Sequence, residues 1–196
     1  MADMDADFRH ETERLVLRDW RDEDWPEFDR LTNTPAVMRW LGGVADAGTF
    51  GGARARVEGY RRDFGHTFWV LERKEDGGHL SGEMLGFCGL KRSNAEGQAV
   101  CGMVEVGWRL REDAWGHGYA KEAASASLDL GFERFGADTI IAITVAGNTA
   151  SWGLMKRLGM TRREDLDFHD PRWGPELNPS IIYAITAQQW THSRDD

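Results

Sequence analysis

Apolar and polar positions change period twice within about forty residues near the centre of the chain. From Val104 to Leu110, Val104, Val106, Trp108 and Leu110 alternate with Glu105, Gly107 and Arg109, a period of two that predicts a strand. After the stretch Trp115-Gly116-His117-Gly118-Tyr119-Ala120, the residues Ala120, Ala123, Ala124, Ser127, Leu128, Gly131 and Phe132 recur at helical spacing, which predicts a helix from about Gly118 to Phe135. Thr139 to Val145 then forms an unbroken apolar run, as in a strand buried on both faces. A right-handed crossover lays this strand parallel to the first and puts the Gly116 turn at the carboxyl end of the sheet, where ligands bind in open α/β folds.

The flanking segments read as further α/β elements. Arg14 to Arg18 alternates like a strand, and Asp19 to Asp24 offers caps for a helix carrying Trp25, Phe28 and Leu31. Pro35 restarts a short helix through Trp40, and Gly42, Gly43, Gly48, Gly51 and Gly52 predict a loop with freedom to move. A helix over about Ala53 to Phe64 and a strand over Thr67 to Glu72 follow, then a turn at Asp76-Gly77-Gly78. Met84 to Leu90 and Val100 to Leu110 predict an antiparallel hairpin around the polar loop Ser93 to Gly97. A short helix over Ser151 to Leu158 stops at Gly159, and strands near Met160 to Phe168 and Ser180 to Ile185 end the pattern. The expectation is one α/β domain over residues 14–190 with a mixed central sheet of about six to seven strands and flanking helices, bordered by flexible ends at 1–13 and 191–196.

Composition narrows the class. The 196 residues are 41% hydrophobic and 29% charged, an ordinary balance for a globular domain, with a net charge of −9. That charge argues against a nucleic-acid or anionic-membrane surface and suits a cationic, amine-bearing partner. Three aspartates in Met1 to His10 rule out a secretory signal, no segment has membrane-spanning length, and the location expected is cytoplasmic. Cys88 and Cys101 lie in strand-like stretches and read as reduced core thiols. The six histidines show no metal-ligand spacing, so no metal is expected.

The Gly116 turn carries the chemistry. The first N–H groups of a helix have no internal partner and, with the helix dipole, suit a phosphate or pyrophosphate. A tight strand-to-helix turn with nothing bound has the same pattern. A dinucleotide-binding fingerprint is disfavoured, because Gly116-His117-Gly118-Tyr119-Ala120-Lys121 has no third glycine. Asn148, three residues before Ser151 at a helix start, reads equally as an N-cap. Among nine tryptophans, Trp20 and Trp25 read as packing the first helix and Trp152 and Trp190 as structural, while Trp40 and Trp173 are candidates to wall an acceptor pocket.

Glu105-Val106-Gly107-Trp108, Trp115 to Ala120, Asn148 to Ser151 and Leu158-Gly159-Met160 together resemble the GCN5-related N-acetyltransferase (GNAT) superfamily. The match runs over about Arg14 to Ile185, and the resemblance is greatest to the ribosomal-protein N-terminal acetyltransferase branch. The resemblance implies a splayed pair of parallel strands that holds acetyl-coenzyme A. Its pyrophosphate would meet Trp115, Gly116, His117, Gly118, Tyr119 and Ala120, and its pantetheine arm Val106, Gly107, Trp108 and Asn148. Trp115 stands where the family usually has Arg or Gln, which leaves a cradle of main-chain donors. Ser151 matches the position proposed to protonate the departing thiolate.

The implied reaction is direct attack of a primary amine on the acetyl thioester, without a metal and without an acyl-enzyme. Glu105 is the first candidate for general base, with a solvated strand face as its alternative, and His169 and Asp170 are rivals. His117 is placed beside the pyrophosphate and suits a hydrogen bond there. The acceptor expected is a protein or peptide N-terminus; polyamine, amino-acid or antibiotic acetylation and a non-catalytic acyl-coenzyme A sensor are the alternatives. A homodimer is left open.

Overall fold

The computed structural model describes residues 7–195. Eight strands form one sheet: β1 (Arg9–Glu11), β2 (Leu15–Arg18), β3 (Phe68–Arg73), β4 (Met84–Arg92), β5 (Val104–Leu110), β6 (Thr139–Val145), β7 (Thr161–Arg162) and β8 (Ser180–Thr186). Their order across the sheet is β1-β2-β3-β4-β5-β6-β8-β7, and every neighbouring pair is antiparallel except β5–β6. The helices are α1 (Asp24–Thr32), α2 (Pro35–Met38), α3 (Ala47–Phe64), α4 (Tyr119–Asp129), α5 (Thr149–Arg157) and α6 (Ala187–Asp195).

The sheet separates two apolar layers. On one face α4 presents Ala123, Ala124 and Leu128 to Leu15, Leu17, Trp69, Leu90, Val104, Val106 and Ile140. Its small residues let the helix lie close to the strands. A Cβ on Gly131 would come within 2.5 Å of Ile140 Cδ1, so the helix end also sits tight on β6. On the other face α1 and α3 cover Phe87 with Trp25, Phe28 and Val57, and a second patch gathers Val100, Ile141, Ile182 and Ala184.

The parallel contact is short. β5 pairs with β6 only at Val104↔Ile140 and Glu105↔Ile141, whereas β4 holds β5 along its whole length and β8 holds β6 along its whole length. Each strand follows its own antiparallel partner, so the two diverge beyond Glu105 and Ile141. This is the splayed pair the resemblance implies.

Several expectations change at element ends. The sheet has eight strands, because Arg9–Glu11 adds β1 inside the segment expected to be a flexible start. Phe8 anchors it by stacking on Trp69 at 4.3 Å and donating its N–H to the Asp19 carboxylate at 2.8 Å. At the other end α6 runs past residue 190, with Trp190 Nε1 donating to Asp129 at 2.8 Å. Gly48, Gly51 and Gly52 lie within α3, not in a loop: Asp46 caps its first turn by accepting from the Thr49 N–H at 2.7 Å. That cap and the length of the helix offset the low propensity of glycine.

Residues 100–103 turn instead of extending β5, which leaves Cys101 exposed; Cys88 alone is a core thiol, pushed up to about 12 by burial. Of the strand expected over 160–168 only β7 and an isolated bridge at Phe168 form. Arg162 and Asp167 pair across the charged intervening turn and satisfy it locally. The helix expected through Phe135 leaves α geometry at Leu130 and closes with one wider turn over Leu130–Arg134. Among the described residues no helix is long and apolar enough to cross a membrane.

Gly86 marks the closest backbone approach near the site. It sits in β4 at φ +135°, and a Cβ there would fall 2.0 Å from the Arg109 carbonyl oxygen. Gly86→Ala is expected to lower unfolding free energy by about 3 kcal/mol, the upper part of the usual overpacking range. Urea denaturation checks this; an unchanged midpoint contradicts the packing described.

Candidate active site

The chain leaves β5 through a single 3-10 turn, Glu112–Ala114, and Trp115 is tied back by its Nε1 donating to the Leu110 carbonyl at 3.0 Å. Gly116 and Gly118 then take φ values of +79° and +81°, a left-handed backbone that L side chains disfavour. α4 starts directly after Gly118 with no side-chain cap. Among the described residues the backbone N–H groups of 116–121 find no acceptor, and the first to do so is Glu122, bonded to the Gly118 carbonyl at 3.1 Å. Six successive donors at the positive end of a helix suit an anion, and a Cβ on Gly116 would meet only open space. The residues present therefore fit a diphosphate.

The nearby carboxylate does not compete for this nest. Glu122 accepts from the Thr12 hydroxyl and from Arg14 through both its N–H and its Nε, at 2.6, 2.8 and 2.7 Å, and these bonds hold it ionised below its ordinary range against the opposing effect of burial. Arg14 also donates to the His117 carbonyl at 3.1 Å. The side chain of His117 stacks on His79, with centroids 3.8 Å apart, and Tyr119 extends the stack toward Arg73, which donates to its hydroxyl at 3.2 Å. This arrangement fixes the floor of the turn. Sequence periodicity does not reveal it, because His79 comes from the distant loop between β3 and β4.

Glu105 stands at the last paired position of the parallel contact, with Val106, Gly107 and Trp108 beyond it in the open wedge. It is buried, which corrects the solvated-face alternative. Lys91, its partner across β4–β5, brings Nζ to 2.9 Å from Oε2, yet that oxygen lacks a well-directed hydrogen bond. Burial pushes the carboxyl up, and Lys91 opposes the shift without cancelling it.

Asn148 caps α5, its side-chain oxygen accepting from the Ser151 N–H at 3.4 Å, and Ser151 lies partly exposed in the first turn. The rival bases behave differently. Asp170 is a strut of the 169–178 loop: Arg172 clamps it with charge-assisted bonds that hold its carboxyl low, and Asn178 donates to its carbonyl. His169 is exposed and makes no hydrogen bond among the described residues.

The two tryptophans singled out from their loop contexts each cover a glycine. The Trp40 ring lies where a Cβ on Gly147 would be, just past β6, and the Trp173 ring packs in the same way on Gly42. Lys91 and Arg109 were not foreseen. For Lys91 a signal existed, since the β4–β5 hairpin register pairs it with Glu105. Among the described residues no cluster of three or more His, Cys, Asp or Glu is placed to hold a metal ion.

Comparison with known proteins agrees with this geometry. Residues 14–161 match the model of the acetyltransferase (GNAT) domain. The chain is 34% identical over 161 residues to the uncharacterized protein YkkB of Bacillus subtilis, covering 80% of this chain and 87% of that one. The crystal structure of an acetyltransferase from Agrobacterium tumefaciens str. C58 superposes with a TM-score of 0.73 at 27% identity, over 91% of this chain and 94% of that one. The fold is also that of spermidine N-acetyltransferase from Vibrio cholerae, solved in complex with CoA and spermine, at a TM-score of 0.70 and 15% identity over 92% and 99% of the two chains. A free amide nest at the head of α4, a parallel pair that splays beside it, and a family match across both lead to one conclusion: the chain belongs to the GNAT acetyltransferases.

Proposed function

We propose that this acetyltransferase transfers the acetyl group of acetyl-coenzyme A directly to a primary amine, with Glu105 as general base. The observation that carries the reading is the run of six unbonded N–H groups at 116–121 beside a wedge whose last paired residue is a buried carboxylate. Acetyl-coenzyme A supplies the activated acyl thioester. The amides of 116–121 hold its diphosphate. Main-chain groups of Val106, Gly107 and Trp108, which β6 leaves unpaired, orient the thioester carbonyl and stabilise the oxyanion. Asn148 adds a hydrogen bond to the pantetheine arm.

The amine attacks as the neutral species, and Glu105 takes its proton directly or through a water. Its upward shift brings the carboxylate closer to the pKa of an amine and makes it a stronger base than an exposed glutamate. Ser151 passes a proton to the thiolate that leaves and regains one from water, while Glu105 releases the amine proton to water, so the cycle closes with both side chains in their starting states. The motif resemblance to the N-terminal acetyltransferase branch supports an α-amine, while a small amine presents the same nucleophile. The groups lining the acceptor face set the choice between them. Turnover, as thiol release across an amine panel, separates this reading from a non-catalytic sensor that binds coenzyme A alone.

Replacing Gly116 by valine forces a branched side chain into the left-handed region and covers the nest. Gly116→Val is expected to weaken coenzyme A binding at least tenfold in calorimetry, with circular dichroism confirming the fold; unchanged affinity places the diphosphate elsewhere. For Ser151→Ala the expectation is a drop in kcat with coenzyme A affinity kept, and an unaltered kcat removes Ser151 from the mechanism.

Glu105 must be ionised to act, so kcat/KM falls as pH drops through its pKa, at a higher pH than an ordinary glutamate gives. Glu105→Gln is expected to remove this limb and reduce kcat/KM by about 10²-fold. Since Lys91 holds the carboxyl down, Lys91→Met is expected to move the limb to higher pH. A limb that survives in Glu105→Gln assigns the proton to another group.

A further inference from the structure

Arg109 carries a positive charge for which the described residues supply no counter-ion. It lies on the same face of β5 as Glu105 and Gly107. No hydrogen bond or ion pair to its guanidinium exists among the described residues, and Nε is sealed from solvent without an acceptor. Its contacts are two aromatic rings, Phe28 of α1 at 5.5 Å and Phe87 of β4 at 5.4 Å. Desolvation alone brings its pKa down to about 10, and no carboxylate acts to raise it. Two nearby arginines of the sheet and its margin are paired: Arg18 with Asp24 and Glu72, Arg111 with Glu83 and Asp113. The residue as a whole is still partly exposed, so a ligand can reach it.

The position of Arg109 relates it to the reaction. Along a strand, Gly107 lies about 7 Å from both Glu105 and Arg109. Gly107 has no side chain, and the Phe68 ring lies over it: a Cβ there would meet that ring at 2.9 Å. Phe68 in turn stacks on Phe87 at 4.7 Å. The face therefore runs from a buried carboxylate, past the Phe68 ring laid over Gly107, to an unpaired guanidinium. An acceptor laid along the Phe68 ring with its amine within reach of Glu105 brings groups a few atoms away to Arg109.

Resting on the acetyl-transfer reading above, we propose that Arg109 binds a carboxylate on the acceptor, so that the substrate is a small amine bearing an acid group a few bonds from its nitrogen. Phe28 and Phe87 pack against the guanidinium, and its two terminal nitrogens are left for a planar, bidentate partner. A polyamine brings a second cation to this position and is repelled. A protein N-terminus has no carboxylate there unless an acidic side chain follows it.

The test compares acid and amide forms of one amine, γ-aminobutyrate with 4-aminobutanamide, β-alanine with β-alaninamide, and glycylglycine with its amide. With acetyl-coenzyme A, the wild type is expected to favour the acid at least tenfold in kcat/KM for one or more pairs. In Arg109→Gln that ratio should fall at least tenfold, and Arg109→Lys, which keeps the charge without the fork, should fall between them. Arg109→Lys carries the comparison alone if the glutamine variant does not fold. A ratio indifferent to both substitutions, or no acid preference in the wild type, overturns the proposal. An Arg109-dependent preference for O-phosphoethanolamine over every carboxylate replaces the carboxylate by a phosphate and overturns it too.

A second readout does not require turnover. In the presence of coenzyme A the same acids should raise the melting temperature of the wild type and not that of Arg109→Gln. If coenzyme A binds and no amine is acetylated, the catalytic reading fails, and an acid-dependent shift lost in the variant still places the carboxylate at Arg109. Absence of that shift removes Arg109 as an anion site.

Discussion

Two residues of parallel pairing govern this molecule. Val104↔Ile140 and Glu105↔Ile141 join what would otherwise be two antiparallel sheets, and the contact goes no further because each strand is already committed to a partner on its other side. Beyond it, main-chain polar groups face an opening instead of a neighbour. Backbone groups left without a strand partner pair with water or with a ligand that offers donors and acceptors of its own. The tight packing of α4 on one face and of α1 and α3 on the other keeps the two halves from closing this gap.

The anion nest depends on the same divergence. β5 ends at the mouth of the wedge, and one 3-10 turn with two left-handed glycines suffices to start α4 there. The helix then points its unbonded amides at the opening. Arg14 and Thr12, from the far edge of the sheet, occupy Glu122 and keep the only acid of the first turn out of the nest. The free amides and the opening of the sheet thus share one structural origin. The charge pattern across the wedge has a different origin: Glu105 and Arg109 share a face by alternation, and burial acts on them in opposite directions.

Much of this was legible along the chain. The βαβ unit, the hairpin before it and the glycine turn rest on local periodicity and on backbone freedom, which neighbours in sequence determine. Element ends were less legible. Gly48, Gly51 and Gly52 suggested a loop, yet a cap at Asp46 and an eighteen-residue helix overrode them. Arg9–Glu11 is too short to show a period, and its place in the sheet depends on Phe8 finding Trp69.

Residue order alone thus specified the class of fold, the parallel return of the central crossover and the glycine turn that leaves amides free at the head of α4, since each follows from spacing within one or two elements. Whether Glu105 meets water or is enclosed, whether Asp170 is free or clamped, and whether Arg109 has a counter-ion depend on groups brought in from other strands and helices. Charge and burial are properties of three-dimensional surroundings: Lys91 lies fourteen positions before Glu105, and Phe28 lies eighty-one before Arg109. Folding sets those distances, and with them the proton affinity and ligand preference of the site.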